Sequence, residues 1–129
     1  MQLGIKILNS SSSLNNLMYV NQIVITPGET KTVYFQTTDL DFNGQRYIAS
    51  NAASMSITIN NINSSYTVTK IPSNPFPGDK SIWSFNLNTT ETNNLSGVNM
   101  HVTLTDGPEV LKAVADSVII VKPKSVYQA

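Results

Sequence analysis

Short stretches in which apolar and polar residues alternate one by one leave this chain few folds to choose from. Ser54 to Asn60 reads Ser-Met-Ser-Ile-Thr-Ile-Asn, with Met55, Ile57 and Ile59 on one side. Val98, Met100, Val102 and Leu104 alternate with Asn99, His101, Thr103 and Thr105. Trp83, Phe85 and Leu87 alternate with Ser84, Asn86 and Asn88, and shorter versions occur at Val33–Phe35 and Tyr66–Val68. A period of two belongs to strands with one buried and one wetted face. Val118-Ile119-Ile120-Val121 is apolar throughout and reads as a strand covered on both sides, with Ile23-Val24-Ile25 similar.

The separators carry turn chemistry. Thr26-Pro27-Gly28-Glu29 is a proline–glycine turn, and Asp106-Gly107-Pro108 is another. Asn43-Gly44 suits a tight hairpin, because both residues tolerate positive φ. Pro72, Pro75 and Pro77, followed by Gly78-Asp79, make a loop that cannot enter a sheet ladder. Strands this close together leave no room for the crossovers that parallel pairing needs, so pairing is mainly antiparallel. Seven or eight such strands in roughly 110 residues predict an all-β, antiparallel two-sheet sandwich.

Two segments break the alternation. Thr89 to Asn94 suits one helical turn capped by a threonine, with Leu95 dropping into the core and Gly97 supplying a left-handed residue. Pro108 to Asp116 has helical spacing at Val110, Ala113 and Val114. A strand running on into Val118 is the expectation there, since two unpacked helical turns are marginal.

Charge then narrows the function. Eight basic residues balance eight acidic ones, and charged residues are 12% of the 129, about half the usual roughly 25%. Asn, Ser and Thr instead make up a third of the chain. No basic excess exists to grip nucleic acid, and no apolar run approaches the roughly 18 residues of a membrane span. Cysteine is absent, which removes disulfides and thiol chemistry. The start, Met1-Gln2-Leu3-Gly4-Ile5-Lys6-Ile7-Leu8, has its apolar run broken by Lys6 and ended by Asn9. It does not read as a secretory signal, so synthesis in a cytosol without export is expected. The Asn-x-Ser/Thr triplets at Asn9, Asn63, Asn88 and Asn94 then follow from composition. A surface with so little charge has weak electrostatic protection against association, which suits life inside an assembly.

Residues able to do chemistry are few. His101 is the single histidine and falls on the polar side of its strand, where a solvated side chain is expected. Asp39-Leu40-Asp41-Phe42-Asn43-Gly44 matches the first half of a calcium loop, but its eighth position is Arg46 and its twelfth is Ser50. A hairpin turn, with Asp side chains accepting from local backbone amides, is the expectation. Nearly all the acids fall in turns, and no nucleophile elbow or phosphate-cradling loop is present. Trp83 shares a side with Phe85 and Leu87 and reads as core, not as a sugar platform. No enzyme, metal or cofactor is expected.

From Gln22 onward the order of elements is distinctive. A strand leads to Thr26-Pro27-Gly28-Glu29-Thr30 and Lys31-Thr32-Val33-Tyr34-Phe35, then the Asn43-Gly44 loop and the Met55–Ile59 strand. Trp83-Ser84-Phe85-Asn86-Leu87 and Thr90-x-Thr92-x-x-Leu95-x-Gly97 follow. Val98 to Gly107 and Val118-Ile119-Ile120-Val121-Lys122-Pro123 close the series. Over about residues 22–124 this resembles the immunoglobulin-like β-sandwich modules of bacteriophage virions, notably the N-terminal domain of baseplate upper proteins. Related modules occur in tail, neck and head-decoration proteins. Where that family often has glycine before its last strand, this chain has Asp116-Ser117. The resemblance implies a non-enzymatic virion component whose partners are other virion proteins and further copies of itself. Binding of a host-surface glycan or receptor is the alternative.

The expected organisation is an arm and polar tether over 1–16, a sandwich over 17–124 and a short tail over 125–129. Leu3, Ile5 and Ile7 form one apolar side of a strand, and Asn9 to Asn16 is polar apart from Leu14. A strand at 2–8 is expected to act as an assembly arm, pairing outside the compact domain on another chain's open edge. The other placement is an ordinary first strand of the sandwich.

Overall fold

Lys31–Asp39 (β3) organises the first sheet, because both of its edges are paired. On one side lies Leu3–Leu8 (β1), antiparallel, from Leu3 opposite Asp39 to Leu8 opposite Tyr34. On the other lie Ile82–Leu87 (β7), with Phe35 opposite Trp83, and the two-residue strand Gln45–Arg46 (β4). The second sheet runs in the order β2-β9-β8-β5-β6. Its members are Ile23–Ile25 (β2), Ser54–Asn61 (β5), Thr67–Lys70 (β6), Val98–Asp106 (β8) and Glu109–Val121 (β9). The computed structural model describes residues 1–9, 17–62 and 64–121, the last six of these by backbone alone. The expected tail at 125–129 lies outside them.

The chain crosses between sheets repeatedly: β1 in the first, β2 in the second, β3 and β4 in the first, β5 and β6 in the second, back to β7, then across again to β8 and β9. This is the strand order of an immunoglobulin-type sandwich. All pairs are antiparallel except β2 with β9, where Ile23–Ile25 runs parallel to Ile119–Val121. The strand expected over Pro108–Asp116 is present in β9. The ladder of β8 and β9 shifts register between Val98/Ile119 and Asn99/Asp116. The extra residues fall at Ser117-Val118. A bulge bends its strand and adds twist, and here it precedes the stretch that β2 joins.

The core is the set of inward-facing residues that period two selects. Val33, Phe35, Ile57, Ile59, Met100 and Leu104 are fully buried. Phe35 and Phe85 meet with ring centroids 6.2 Å apart and planes tilted by 59°. Each such apolar side chain contributes about 1.5–3 kcal/mol on burial.

Three local expectations are corrected. Val24 is 55% exposed while Ile23 and Ile25 are buried, so β2 is covered on one side only. The short helix Thr89–Asn94 (α1) is capped by Asn88, not by a threonine. Asn88 Oδ1 accepts from the Glu91 N–H at 2.8 Å and Glu91 Oε1 accepts from the Asn88 N–H at 2.9 Å, a reciprocal capping box. Leu95 is buried as expected, but Gly97 is not among the left-handed residues, which are Gly28, Asn43, Gly44 and Gly107.

Candidate functional site

The expected assembly arm folds back on its own chain. Leu3 and Ile7 are buried at 4% and 3% exposure, and Ile5 packs against the same core. The sandwich therefore begins at Leu3 and not at residue 17. The physical reason is the open edge of β3: β1 fills it with six paired residues and delivers three apolar side chains to the core in the same step. Gly4 makes the fit possible. A Cβ there would sit 2.6 Å from Thr38 Oγ1 and 2.7 Å from the Leu40 side chain. Residues 18–20 return along the free edge of β1, where Leu8 and Tyr19 form an antiparallel bridge through Asn9 N–H to Met18 C=O and Val20 N–H to Ile7 C=O. Tyr19 donates to Gln36 Oε1 at 2.6 Å, and Lys6 Nζ lies 4.5 Å from the centre of the Tyr19 ring. The part of the tether at residues 10–16 lies outside the described residues.

The Asp39–Gly44 segment is a turn. Asp39 Oδ1 accepts from the Asp41 N–H at 3.0 Å and caps a 3-10 turn over Leu40–Phe42. Asn43 and Gly44 both take positive φ, 57° and 72°, as their sequence suggested, though the connection is five residues long because Asp39 pairs with Gln45. Asp41 lies 3.3 Å from the N-terminal ammonium. Among the described residues no three His, Asp or Glu side chains gather as a metal set, and no helix there is long and apolar enough to cross a membrane.

Two other acids are tied into the fold. Asp106 accepts from Tyr47 Oη at 2.7 Å, Ser50 Oγ at 2.6 Å and Ser50 N–H at 3.2 Å. The Ser50 and Tyr47 hydrogen bonds hold the Asp106 carboxyl below the usual carboxylate range. The same bond, with burial and the negative charge of Asp106, pushes the Tyr47 phenol up to about 12. Burial alone would raise Asp79, but the Ser81 hydroxyl and N–H, with the Arg46 guanidinium 3.1 Å away, outweigh it and hold the carboxyl low. Both clusters anchor the loops that carry the chain from β3 to β5 and into β7.

Trp83 is 7% exposed and part of the core, as its alternation predicted. Its Nε1 has no hydrogen-bond partner among the described residues. His101 sits on the outer side of the second sheet, opposite Thr58 on β5 and Val114 on β9, and is partly exposed as expected for a polar-face residue. Sequence reasoning missed Gly4, Asn61 and Thr92. Asn61 is buried and donates from Nδ2 to Asn94 C=O at 2.8 Å, while its Oδ1 accepts from the Ser96 N–H at 2.8 Å. It also donates to Ser64 Oγ at 2.9 Å, three residues on, but the two partners that tie it to the α1–β8 connection are over thirty residues away and leave no local signal.

No protein-family model matches the sequence, and no curated protein is similar to it at a significant level. Among solved structures, the X-ray structure of the endo-β-1,4-mannanase from Thermotoga petrophila superposes with a TM-score of 0.51 at 12% identity, over 96% of this chain and 20% of that one. This chain thus matches about a fifth of that enzyme's length, and at this identity the likeness is one of fold.

Proposed function

We propose that this chain is a non-enzymatic structural component of a bacteriophage particle, acting through contacts with other virion proteins and with further copies of itself. The strand-and-turn order shared with virion immunoglobulin-like modules supports the reading. The observation that carries it is how the side chains are used. Among the described residues, six carboxylates are engaged within the fold: Glu29 and Asp39 in turns, Asp41 on the N-terminus, Asp79 and Asp106 in loop anchors, Glu91 in a helix cap. What faces outward is largely neutral, with apolar side chains such as Ile71 at 83%, Phe42 at 66% and Val110 at 60% exposed. A surface with so little free charge has weak electrostatic protection against association, which suits a protein held by neighbours. Host-glycan or receptor binding has less support, because Trp83, the best stacking residue, has its ring in the core. Mass spectrometry of purified particles tests the proposal. The chain is expected at a fixed ratio to the other virion proteins. Recovery from lysate alone, never from particles, overturns it.

A further inference from the structure

Among the chain's asparagines, only Asn43 is followed by glycine. Such a pair carries its own reaction. The backbone nitrogen of the glycine can attack the carbonyl carbon of the asparagine side chain, and a residue without a Cβ leaves that nitrogen unshielded. Here the pair stands at the tip of the turn between β3 and β4. Asn43 is exposed, and nothing lies within 4 Å of where a Gly44 Cβ would sit. Water therefore reaches both residues.

Closed, the turn forbids the reaction. Asn43 has φ 57° and ψ 27°, which turns the Gly44 nitrogen away from the Asn43 side chain. The Gly44 N–H also donates to Asp39 C=O at 3.0 Å. Ring closure needs the turn open, and the turn is fastened to the start of β1. Leu40 N–H donates to Gln2 C=O at 2.9 Å, and the Met1 ammonium lies 3.3 Å from Asp41. These contacts join the first two residues of the chain to two of the three residues of the 3-10 turn.

We infer that Asn43 is a self-modification site, deamidated through Gly44 when the first residues of the chain let the turn open. The Gly44 nitrogen, having given up its proton, bonds to Asn43 Cγ. The Cγ–Nδ2 bond breaks, and ammonia leaves with a proton in place of the one given up, so a cyclic imide remains. Water then opens the imide at either carbonyl. One product is aspartate. The other is isoaspartate, in which the main chain runs through the former side chain. Either adds a negative charge where Asp39 and Asp41 already stand, and Arg46, three residues on, is already paired with Asp79. Isoaspartate also lengthens the main chain by one carbon between residues 39 and 44, the two that the turn's closing bond joins. That bond cannot re-form in the same register. Each opening that ends in isoaspartate is therefore permanent, and it loosens the fastening of the start of β1. The chemistry is independent of whether the chain sits in a particle.

The test follows the whole chain in mildly alkaline buffer by peptide mapping. Trypsin releases Thr32–Arg46. Conversion shows there as the mass gained when NH2 becomes OH, fragment ions place it at Asn43, and chromatography separates the two products. The folded wild type is expected to convert about 10-fold or more slowly than the same chain unfolded in urea, because the reactive form is the locally opened one. Asp41→Ala removes the ammonium contact. It is expected to speed conversion of the folded chain about 2–5-fold, the size of an exposed ion pair, with no change of rate in urea. The isolated isoaspartate form is expected to exchange its Leu40 amide faster than the unconverted chain. No conversion of the folded chain, equal rates folded and in urea, a folded rate indifferent to Asp41→Ala, or unchanged exchange at Leu40 would each overturn the proposal.

Discussion

Thr92 Oγ1 accepts from the Gly28 N–H at 3.0 Å across 64 residues of chain, and it donates to the neighbouring Glu29 C=O at 2.8 Å. One buried hydroxyl thereby satisfies both backbone groups of the turn between β2 and β3 and fastens it to α1. Gly28 has φ 86°, a conformation that glycine adopts without strain. Thr92 is fully buried, and both bonds are part-buried.

Thr92→Val keeps the shape and removes both bonds. The Gly28 N–H and Glu29 C=O lose a partner in a part-buried setting, at a cost of about 1 kcal/mol. Urea unfolding is expected to show a lower midpoint with an unchanged slope. Amide exchange should accelerate at Gly28. A variant as stable as the wild type would mean that water replaces the hydroxyl at no cost.

The first strand is expected to be indispensable to the monomer. Ile7→Ala removes most of a side chain that is 3% exposed and should cost about 2–5 kcal/mol. Deletion of residues 1–16 strips β1 from β3 and should leave a chain without cooperative melting, read by circular dichroism. A truncated chain that folds fully and only loses assembly would restore the arm reading.

Gly4→Val tests the close approach of β1 to the hairpin. Its side chain would meet Thr38 Oγ1 and the half-exposed Leu40. Overpacking of this kind costs about 1–3 kcal/mol. Adding Leu40→Ala, which opens the space, is expected to recover part of the loss in thermal melts.

The Tyr47–Asp106 tie sets an alkaline limit. Tyr47 is raised from 10.0 to about 12 in the folded chain, so folding favours its protonated form. That contribution is complete below pH 10.0 and disappears as pH rises through about 12. Ultraviolet titration is expected to show a late-ionising tyrosine, absent in Tyr47→Phe. If the two proteins titrate identically, the hydrogen bond is not present in solution.

Asp79 acts at the acid end. Its carboxyl is depressed in the folded state by Ser81 and Arg46 against the opposing effect of burial. The stability it supplies is present above the ordinary aspartate range and is lost as pH falls through the depressed value. Ser81→Ala is expected to flatten the acid limb of stability against pH, measured by urea unfolding at each pH. An unchanged limb would assign acid sensitivity to other carboxylates.

Much of this architecture is legible in the residues alone. Alternation marked β5, β7 and β8 and sorted their inward from their outward side chains, because a pleated strand turns successive residues to opposite faces. Proline and glycine marked the turns, and the Asn43-Gly44 pair takes the positive φ its chemistry favours. The same logic misjudged Val24, since a run of three apolar residues looks alike whether one side is covered or two.

Partner choice was not legible. Leu3, Ile5 and Ile7 specify a strand with one apolar side equally well beside β3 of the same chain or at the edge of another. Closing the chain on itself decided it, because β3 offered an unpaired edge and a core with room for three more side chains. Thr92, Asn61 and Asp106 are likewise ordinary polar residues until the fold brings their partners within 3 Å. Local patterning is set by bonds between neighbours, which a sequence displays directly. Pairing across tens of residues is set by which edges and faces the assembled sandwich leaves open, and only the folded chain displays those.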